Sequence, residues 1–183
     1  MNNKHKSHSL LEWGKAILLA ACLAFIIRLF LFEPYLVEGS SMDPTLHDGE
    51  RLFVNKSSFM IGDVNRGDIV IIDGEEKDVH YVKRVIGLPG EKVEVKDHKV
   101  IINGKLLEEP YLLPNEKKAK KLGQYLMYDF DAITVPDHEV FVMGDNRTNS
   151  MDSRNGLGSI AKDRIAGRAE FVFFPFEKIR KTK

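Results

Sequence analysis

Cysteine is almost missing from this chain, which has one such residue, Cys22, among 183. A single cysteine cannot form an internal disulfide, and Cys22 lies in an apolar run, so it is interpreted as a small hydrophobic residue. No charge of one sign is in excess either, since 27 lysines and arginines balance 27 aspartates and glutamates. This balance leaves no basic footprint, so a nucleic-acid partner is not expected. The length suits one globular domain.

The one long hydrophobic run covers residues 16–32, with Arg28 as its only charge. Seventeen helical residues span about 26 Å, slightly less than a bilayer core of about 30 Å. Leu10, Leu11 and Trp13 extend the helix on its N-terminal side. Arg28 lies near the far end, where its long stem reaches water. The sequence therefore predicts a single membrane anchor over residues 15–33, after a tail of residues 1–14.

Three other interpretations of this run compete with a membrane anchor. A buried core helix normally has a polar stripe, and this run has none. A cleaved secretory signal needs small residues at its exit, whereas residues 30–33 read Phe-Leu-Phe-Glu. Residues 19–22 resemble a lipoprotein cleavage box, but ten more mostly apolar residues follow it. An uncleaved anchor in a lipid bilayer fits best.

The charges that flank the run predict its orientation. Lysines outnumber acidic residues before the run, whereas no lysine or arginine and several acidic residues occur between the run and Arg51. The positive-inside rule then places the N-terminus in the cytoplasm and residues 34–183 outside the membrane. We expect a single-pass protein of the cell membrane that acts as a monomer.

Beyond residue 32, short β-rich runs separated by turn residues predict an antiparallel, mainly β domain. Asn103-Gly104, between two apolar runs, is typical of a tight hairpin. Residues 115–131 carry a lysine cluster typical of a solvated loop or short helix. The aromatic run at residues 171–176 is interpreted as a core strand that ends at Pro175, rather than as a lipid-inserting wedge. The predicted strands cover residues 51–55, 68–73, 80–86, 92–95, 99–102, 139–143 and 169–174.

Two segments carry residues suited to nucleophilic chemistry. Ser41 lies among small residues and a proline, in a turn that would expose its hydroxyl. Lys83 lies in a predicted strand, where alternation places it on one face with Tyr81 and Val85. Burial on such a face lowers a lysine pKa, and a pKa near 7 to 8 suits proton abstraction from a serine at neutral pH. Neither segment is specific by itself.

A third segment, residues 143–154, is an unusually polar loop after an apolar strand. Asp145, Asn149 and Asp152 resemble a cation loop, but two arginines in the same segment favour carboxylate–guanidinium pairing instead. Ser150 is a candidate to orient Lys83 through a hydrogen bond.

A histidine base or a metal site would be an alternative to a Ser/Lys pair. A Ser–His–Asp triad is not favoured, because strand parity sends His80 to the face opposite Lys83 and His47 lies in a polar turn. No metal-ligand spacing such as HExxH occurs. We therefore expect neither a metal nor a cofactor.

Five elements follow one another along the chain: the apolar run, Ser41-Met42-x-Pro44-Thr45-Leu46, residues 66–70, residues 81–87 and residues 144–154. Together they resemble bacterial type I signal peptidases in their compact Gram-positive form, from the apolar run to the C-terminus. Larger relatives carry a bigger insertion, and the resemblance implies that it is reduced here to a small one at residues 97–135.

That resemblance implies a serine endopeptidase with a Ser/Lys dyad, in a β-rich domain against the outer membrane face. It would remove signal peptides from exported preproteins after small residues at positions −1 and −3. Ser41 matches the nucleophile and Lys83 the general base. Some relatives have an oxyanion-hole serine where this chain has Gly39. The residues that match supporting or site-shaping positions are Arg84, Asp145, Arg147, Ser150, Asp152 and Arg154.

Two other functions compete with that of a signal peptidase. A self-cleaving serine/lysine peptidase of the SOS-repressor family would be soluble and carry a DNA-binding head, which the apolar run and the balanced charge oppose. An anchored β-domain that only binds exported proteins would not need Ser41. That interpretation predicts that Ser41→Ala leaves function intact.

Overall fold

The structure is a computed structural model that describes residues 4–30, 32–57 and 62–182. An N-terminal helix, α1 (Lys4–Phe30), precedes a β-rich region. The strands are β1 (Phe32–Leu36), β2 (Arg51–Asn55), β3 (Ile69–Asp73), β4 (His80–Gly87), β5 (Lys92–Lys96), β6 (Lys99–Ile102), β7 (Lys105–Leu106), β8 (Phe130–Thr134), β9 (Glu139–Met143), β10 (Ile160–Ala161), β11 (Ile165–Phe174) and β12 (Arg180–Lys181). A second helix, α2 (Leu113–Lys121), follows a 3-10 turn at Pro110–Leu112.

The larger sheet has eight strands and carries the candidate site. Its order is β1-β2-β11-β3-β4-β9-β10, with β12 paired to β11. All pairs in it are antiparallel, and in the central pair Lys83 of β4 lies opposite Val70 of β3. Strand β1 lies at one edge, directly before the segment that carries Ser41.

The smaller sheet takes three of its four strands, β6, β7 and β8, from the region expected to be an insertion. Its order is β7-β6-β5-β8, and its strands are also antiparallel. Asn103 (φ 50°) and Gly104 (φ 76°) join β6 to β7, as a primed hairpin turn requires. The hairpin predicted at this dipeptide is therefore confirmed.

Three apolar clusters hold the sheets together. One lies behind the Ser41 segment and includes Met42, Leu46 and Leu52. A second packs against the smaller sheet and includes Val93 and Phe141. The third joins β3, β4 and β9, with Val70, Val85 and Val142 among its members. The antiparallel, mainly β architecture predicted from the sequence is confirmed.

Most predicted strand bounds agree with the structure to within one or two residues. The main exception is β11, which begins four residues earlier than predicted and ends at Phe174, before Pro175. Phe171 and Phe174 of this strand are nevertheless partly exposed. Part of the lysine-rich segment forms α2, and its four lysines are exposed.

Helix α1 stands apart from these clusters. All side chains of residues 11–25 are exposed, which excludes the buried core helix for this part of the run. The side chains of residues 26–30, including Arg28, lie outside the described part. Among the described residues, no helix combines the length and the apolar character that a membrane crossing needs.

Candidate active site

Ser41 lies in the segment between β1 and β2, and its neighbours fix its position. Gly39 has φ +83°, a conformation that side chains other than glycine rarely adopt. The N–H of Asp43 donates to Ser40 O (3.1 Å), which closes a turn around Ser41. The next side chain, Met42, is only 1% exposed and anchors this turn in the core. The turn therefore holds the Ser41 hydroxyl in a defined position.

Lys83 reaches Ser41 from β4. Its Nζ lies 2.9 Å from Ser41 Oγ and 2.9 Å from Val82 O. The alternation expected for β4 is present, because Tyr81 and Val85 belong to one apolar cluster and Val82 to another. The lysine nitrogen also lies 5.9 Å from the centre of the Tyr81 ring. The structure thus brings together two side chains that are 42 positions apart in sequence.

The environment of Lys83 favours its neutral form. The residue is 3% exposed, and this burial lowers the pKa of Lys83 from 10.5 to about 8. Asp152 and Asp145 act in the opposite direction, because negative charge favours the protonated lysine. Burial is the larger effect. A substantial fraction of Lys83 is then neutral near pH 8 and able to accept the Ser41 proton.

The polar loop after β9 holds the Ser41 turn in place. The N–H of Asn146 donates to Ser41 O (3.0 Å), and its side-chain amide donates to Ser40 O (3.0 Å). Asn149 Nδ2 contacts Ser40 Oγ at 3.0 Å. At Gly144 an added Cβ would collide with Ser41 O and with Ser150 Oγ. Only glycine therefore fits at the point where the polar loop passes the Ser41 turn, unless the backbone shifts.

Arg84 and Asp145 form a buried ion pair next to the contact between the polar loop and the Ser41 turn. Arg84 Nε donates to Asp145 Oδ1 (2.9 Å) and its second nitrogen to Oδ2 (2.7 Å). The Arg84 side chain is 5% exposed and that of Asp145 is 0% exposed. Thr45 Oγ1 donates to the same carboxylate at 2.5 Å. The pair therefore connects β4, the Ser41 segment and the polar loop.

Asp152 is fixed by an arginine of its own loop. Arg154 donates to both carboxylate oxygens at 2.8 Å, and the Gly144 N–H donates to Oδ2 at 2.9 Å. Burial acts to raise the pKa of Asp152, but these donors and the Arg154 charge outweigh it and hold the pKa below its ordinary value. Asp152 therefore stays ionised near Lys83.

Arg147 connects the polar loop to the region after β7. Its Nε donates to Gly144 O (3.1 Å), and its guanidinium pairs with Glu109. Both side chains of this pair are buried. Glu109 lies in a stretch without a recognisable motif, so its place in the site could not be predicted from the sequence.

The two remaining candidates behave differently from the arginines. Ser150 Oγ is buried near Asp152, yet it makes no hydrogen bond of ordinary geometry with any described residue, Lys83 included. Its orienting role therefore stays a prediction. The N–H of Gly39 donates to Asp48 Oδ1 (2.7 Å), so in this conformation it is engaged and cannot serve as an oxyanion donor.

The histidines near the site pair elsewhere. His47 Nδ1 lies 2.6 Å from Asp43 Oδ1, and His80 Nδ1 lies 2.9 Å from Asp73 Oδ1. Neither forms a hydrogen bond with Ser41 in the described part of the chain, which gives no support to a Ser–His–Asp triad. Over the same residues, no group of three or more His, Cys, Asp or Glu side chains has the arrangement of a metal site.

An open cleft of about 310 Å³ gives access to the Ser41–Lys83 pair. It lies between the end of β1 and the start of β4. A larger cavity of about 790 Å³ beside α2 includes neither Ser41 nor Lys83. The other residues that line the smaller cleft are Tyr35, Leu36, Val37, Glu38, Met42, Asp78, His80, Tyr81 and Val82.

Comparisons with known proteins point to a peptidase. Residues 10–174 match the family described as signal peptidase, peptidase S26. Signal peptidase I of Bacillus amyloliquefaciens is 64% identical over 180 residues, which is 98% of this chain and 93% of that protein. Signal peptidase I T of Bacillus subtilis (strain 168) has the same identity and coverage.

A solved structure supports the same conclusion. The crystal structure of a signal peptidase I from Enterococcus faecalis V583 is 34% identical and has a TM-score of 0.53. The match covers 58% of this chain and 96% of that one. The family match and the highly identical signal peptidase I relatives define the class of protein as a serine endopeptidase. The chain belongs to the signal peptidase family, peptidase S26. This membership sets aside both the SOS-repressor alternative and the non-enzymatic β-domain.

Proposed function

We propose that this peptidase removes signal peptides from exported preproteins, with Ser41 as nucleophile and Lys83 as general base. The observation that carries the proposal is the 2.9 Å contact between Ser41 Oγ and Lys83 Nζ. A nucleophile within hydrogen-bond reach of a base with a lowered pKa is the arrangement that acyl transfer requires. The names of the relatives supply the substrate class.

The reaction follows from these two residues. Neutral Lys83 takes the proton of Ser41 as Oγ attacks the scissile carbonyl carbon. The resulting lysine ammonium then donates its proton to the leaving amine, and an acyl-enzyme on Ser41 remains. Lys83, neutral again, removes a proton from the incoming water as that water attacks the acyl carbon. The lysine ammonium then returns this proton to Ser41 Oγ as the ester bond breaks, which releases the signal peptide and restores both residues. The Ser41 N–H is our candidate donor to the developing oxyanion.

The supporting residues act on the positions of these two groups. Arg84 and Asp145 fix β4 against the polar loop, and Arg147 and Arg154 fix the shape of that loop. Asp152 supplies negative charge near Lys83. Gly39 permits the turn that precedes Ser41. Ser150 is proposed to orient the lysine during turnover.

The cleft suits a chain with small side chains near the scissile bond. Tyr35, Tyr81 and Val82 line the same cleft as Ser41, and we expect them to limit the size of the side chain accepted next to the nucleophile. It also runs beside β1, an edge strand of the larger sheet, where an extended peptide can pair with exposed backbone. These features support cleavage after small residues at positions −1 and −3.

Substrates with a large residue at position −1 should escape cleavage. We expect the purified protein to cut an alanine-containing preprotein at one bond, identified by N-terminal sequencing of the product. Replacement of the −1 alanine by tryptophan should abolish that product, since the proposed specificity admits only a small side chain at that position. The same replacement at −2 is the control and should leave cleavage in place. Equal cleavage of all three substrates would contradict the specificity.

Cleavage should depend on pH through Lys83. Because only the neutral amine accepts a proton, kcat/KM should rise about tenfold per pH unit below the lysine pKa. It should level off above about pH 8, the pKa that burial gives Lys83. An ordinary lysine would place this limb near pH 10.5 and a histidine base near 6.5. A midpoint at either value, in a pH series with a signal-peptide substrate, would sink the assignment of the base.

We further propose that residues 15–33 anchor the protein in the cell membrane, with residues 1–14 in the cytoplasm and residues 34–183 outside. Support comes from the exposed apolar side chains of α1, which include Leu18, Leu19 and Phe25. In this arrangement residues 97–135 are the insertion and the enzyme acts as a monomer beside the bilayer. Membrane fractionation, protease added to intact protoplasts and the mass of the detergent-solubilised protein test these points.

A further inference from the structure

Asn115, in the first turn of α2, contacts both segments that form the site. Its Nδ2 lies 2.9 Å from Asp43 O and 3.3 Å from Asp145 O. Asp43 is two residues beyond the nucleophile, and Asp145 begins the polar loop. The two acceptors are 102 residues apart in sequence, so Asn115 bridges two distant parts of the chain.

The chemistry of the bridge fixes the orientation of the amide. Both neighbours are backbone carbonyl oxygens, which only accept hydrogen bonds. The nitrogen of Asn115, with its two hydrogens, must therefore face them, one hydrogen to each carbonyl. An aspartate at this position would have nearly the same shape but would place a carboxylate oxygen against two carbonyls.

This bridge lies next to a second connection between the same segments. The N–H of Asn146 donates to Ser41 O at 3.0 Å. Together with the bond from Asp43 N to Ser40 O, these contacts hold the turn around Ser41 at two points. If Asn115 is removed, the Asp43 carbonyl loses its bond to α2, and the turn stays attached to the polar loop at residues 40 and 41 and, further along, through Thr45 and Asp145.

Other residues of the region before and within α2 reach the same site, so Asn115 is part of a larger contact. Glu109 pairs with Arg147, and the Tyr111 ring lies 3.9 Å from the Arg84 guanidinium carbon. Leu112, 1% exposed, holds this segment in the core. Residues 109–115 are therefore firmly placed against the site, rather than forming a detached loop.

We propose that Asn115 is a positioning residue, which holds the Ser41 turn against the polar loop so that Ser41 Oγ stays aligned with Lys83 Nζ. This inference rests on the proposed Ser/Lys mechanism. Asn115 touches neither the substrate nor the reacting atoms. It acts through the Asp43 carbonyl and through Asp145.

The test compares Asn115→Ala, Asn115→Asp and Asn115→Gln in the full-length detergent-solubilised protein. Alanine favours the helix more than asparagine does, so α2 should form in the alanine variant. Lys117→Ala, at an exposed position two residues further along α2, is the matched control. Rates of preprotein cleavage are expressed per folded molecule, with the folded fraction taken from a urea unfolding curve.

Asn115→Ala should lower kcat about tenfold, as expected when two positioning hydrogen bonds are lost, with KM within twofold of wild type. Asn115→Asp should lower kcat further. The low-pH limb of kcat/KM should move to higher pH in both variants, because a loosened turn admits water to Lys83. Asn115→Gln, which keeps the amide, should recover part of kcat, and Lys117→Ala should match wild type.

A purely structural role would reduce the folded fraction and leave kcat per folded molecule and the pH limb unchanged. That result for Asn115→Ala, or for Asn115→Asp should the alanine variant not fold, overturns the inference. Loss of activity in Lys117→Ala equal to that in Asn115→Ala overturns it as well. Ser41→Ala, run in parallel, separates the two levels, because activity retained there refutes the dyad itself.

Discussion

Ser41→Ala is expected to lower kcat for preprotein cleavage by at least about a thousandfold, because the acyl-enzyme cannot form without the hydroxyl. The fold should be unaffected. Ser41 is only partly buried, and its Oγ makes a hydrogen bond with Lys83 but fills no apolar cavity. A preprotein assay with the detergent-solubilised protein measures the loss, and the urea unfolding midpoint checks the fold.

Lys83→Met is the companion variant, and it should be equally inactive. Methionine fills nearly the same space and removes a cation that lies buried at 3% exposure. Burial lowers the pKa of Lys83 to about 8, so the folded state binds fewer protons than the unfolded state between about pH 8 and 10.5. Lysine 83 therefore destabilises the fold below pH 8, and this cost disappears as the pH rises through that window. The methionine variant should be no less stable than wild type at pH 7.

Ser40→Ala serves as the matched control for both variants. Its hydroxyl is adjacent to the nucleophile but contacts Asn149, not Lys83. Cleavage should stay within about tenfold of wild type, since a single partly exposed hydrogen bond is lost. If Ser41→Ala retained more activity than Ser40→Ala, the nucleophile assignment would be wrong.

The sequence predicts strands where side chains alternate, since burial on one face of a sheet imposes that period. Strand β2 agrees with its predicted residues 51–55, and the Asn103-Gly104 turn is also correct. Strands β10 and β12 have two residues each, too few for alternation to be visible. Strand β8 could not be predicted, because four of its five residues are exposed and no apolar period marks it.

The candidate site could be predicted only where its residues form a local pattern. The surroundings of Ser41 and Lys83 suggested a nucleophile and a base, and the density of polar residues after β9 suggested a network. Asn115 and Glu109 gave no such signal, because their partners lie 30 to 72 residues away. Contacts at that separation depend on how α2 and the polar loop pack, which no local pattern records.

Breaking the Arg84–Asp145 pair should have the largest effect on stability. Asp145→Ala leaves the Arg84 guanidinium buried without its counter-ion, which costs about 3 to 5 kcal/mol of the free energy of unfolding. Tyr111 and the Gly67 carbonyl also contact Arg84, but neither supplies a negative charge. Urea unfolding at pH 7 measures the loss, and the slope of the transition should not change.

A second variant separates the charge from the space that it occupies. In Arg84→Met/Asp145→Leu both charges are removed and apolar groups of similar size remain, so a large part of the stability should return. Cleavage should not return with it, because Thr45 and the polar loop lose the carboxylate that joins them. Stability and activity should therefore separate in the double variant.

The exposed pair Lys56–Glu33 is the matched control for this measurement. Its side chains are 42% and 46% exposed, so Glu33→Gln should change the free energy of unfolding by no more than about 1 kcal/mol. If Asp145→Ala also lowered the free energy of unfolding by less than about 1 kcal/mol, the buried pair would contribute no more to stability than an exposed one. If Asp145→Ala lowers the free energy of unfolding several times more than Glu33→Gln does, the Arg84–Asp145 pair is what stabilises the site, next to the turn that holds Ser41 against Lys83.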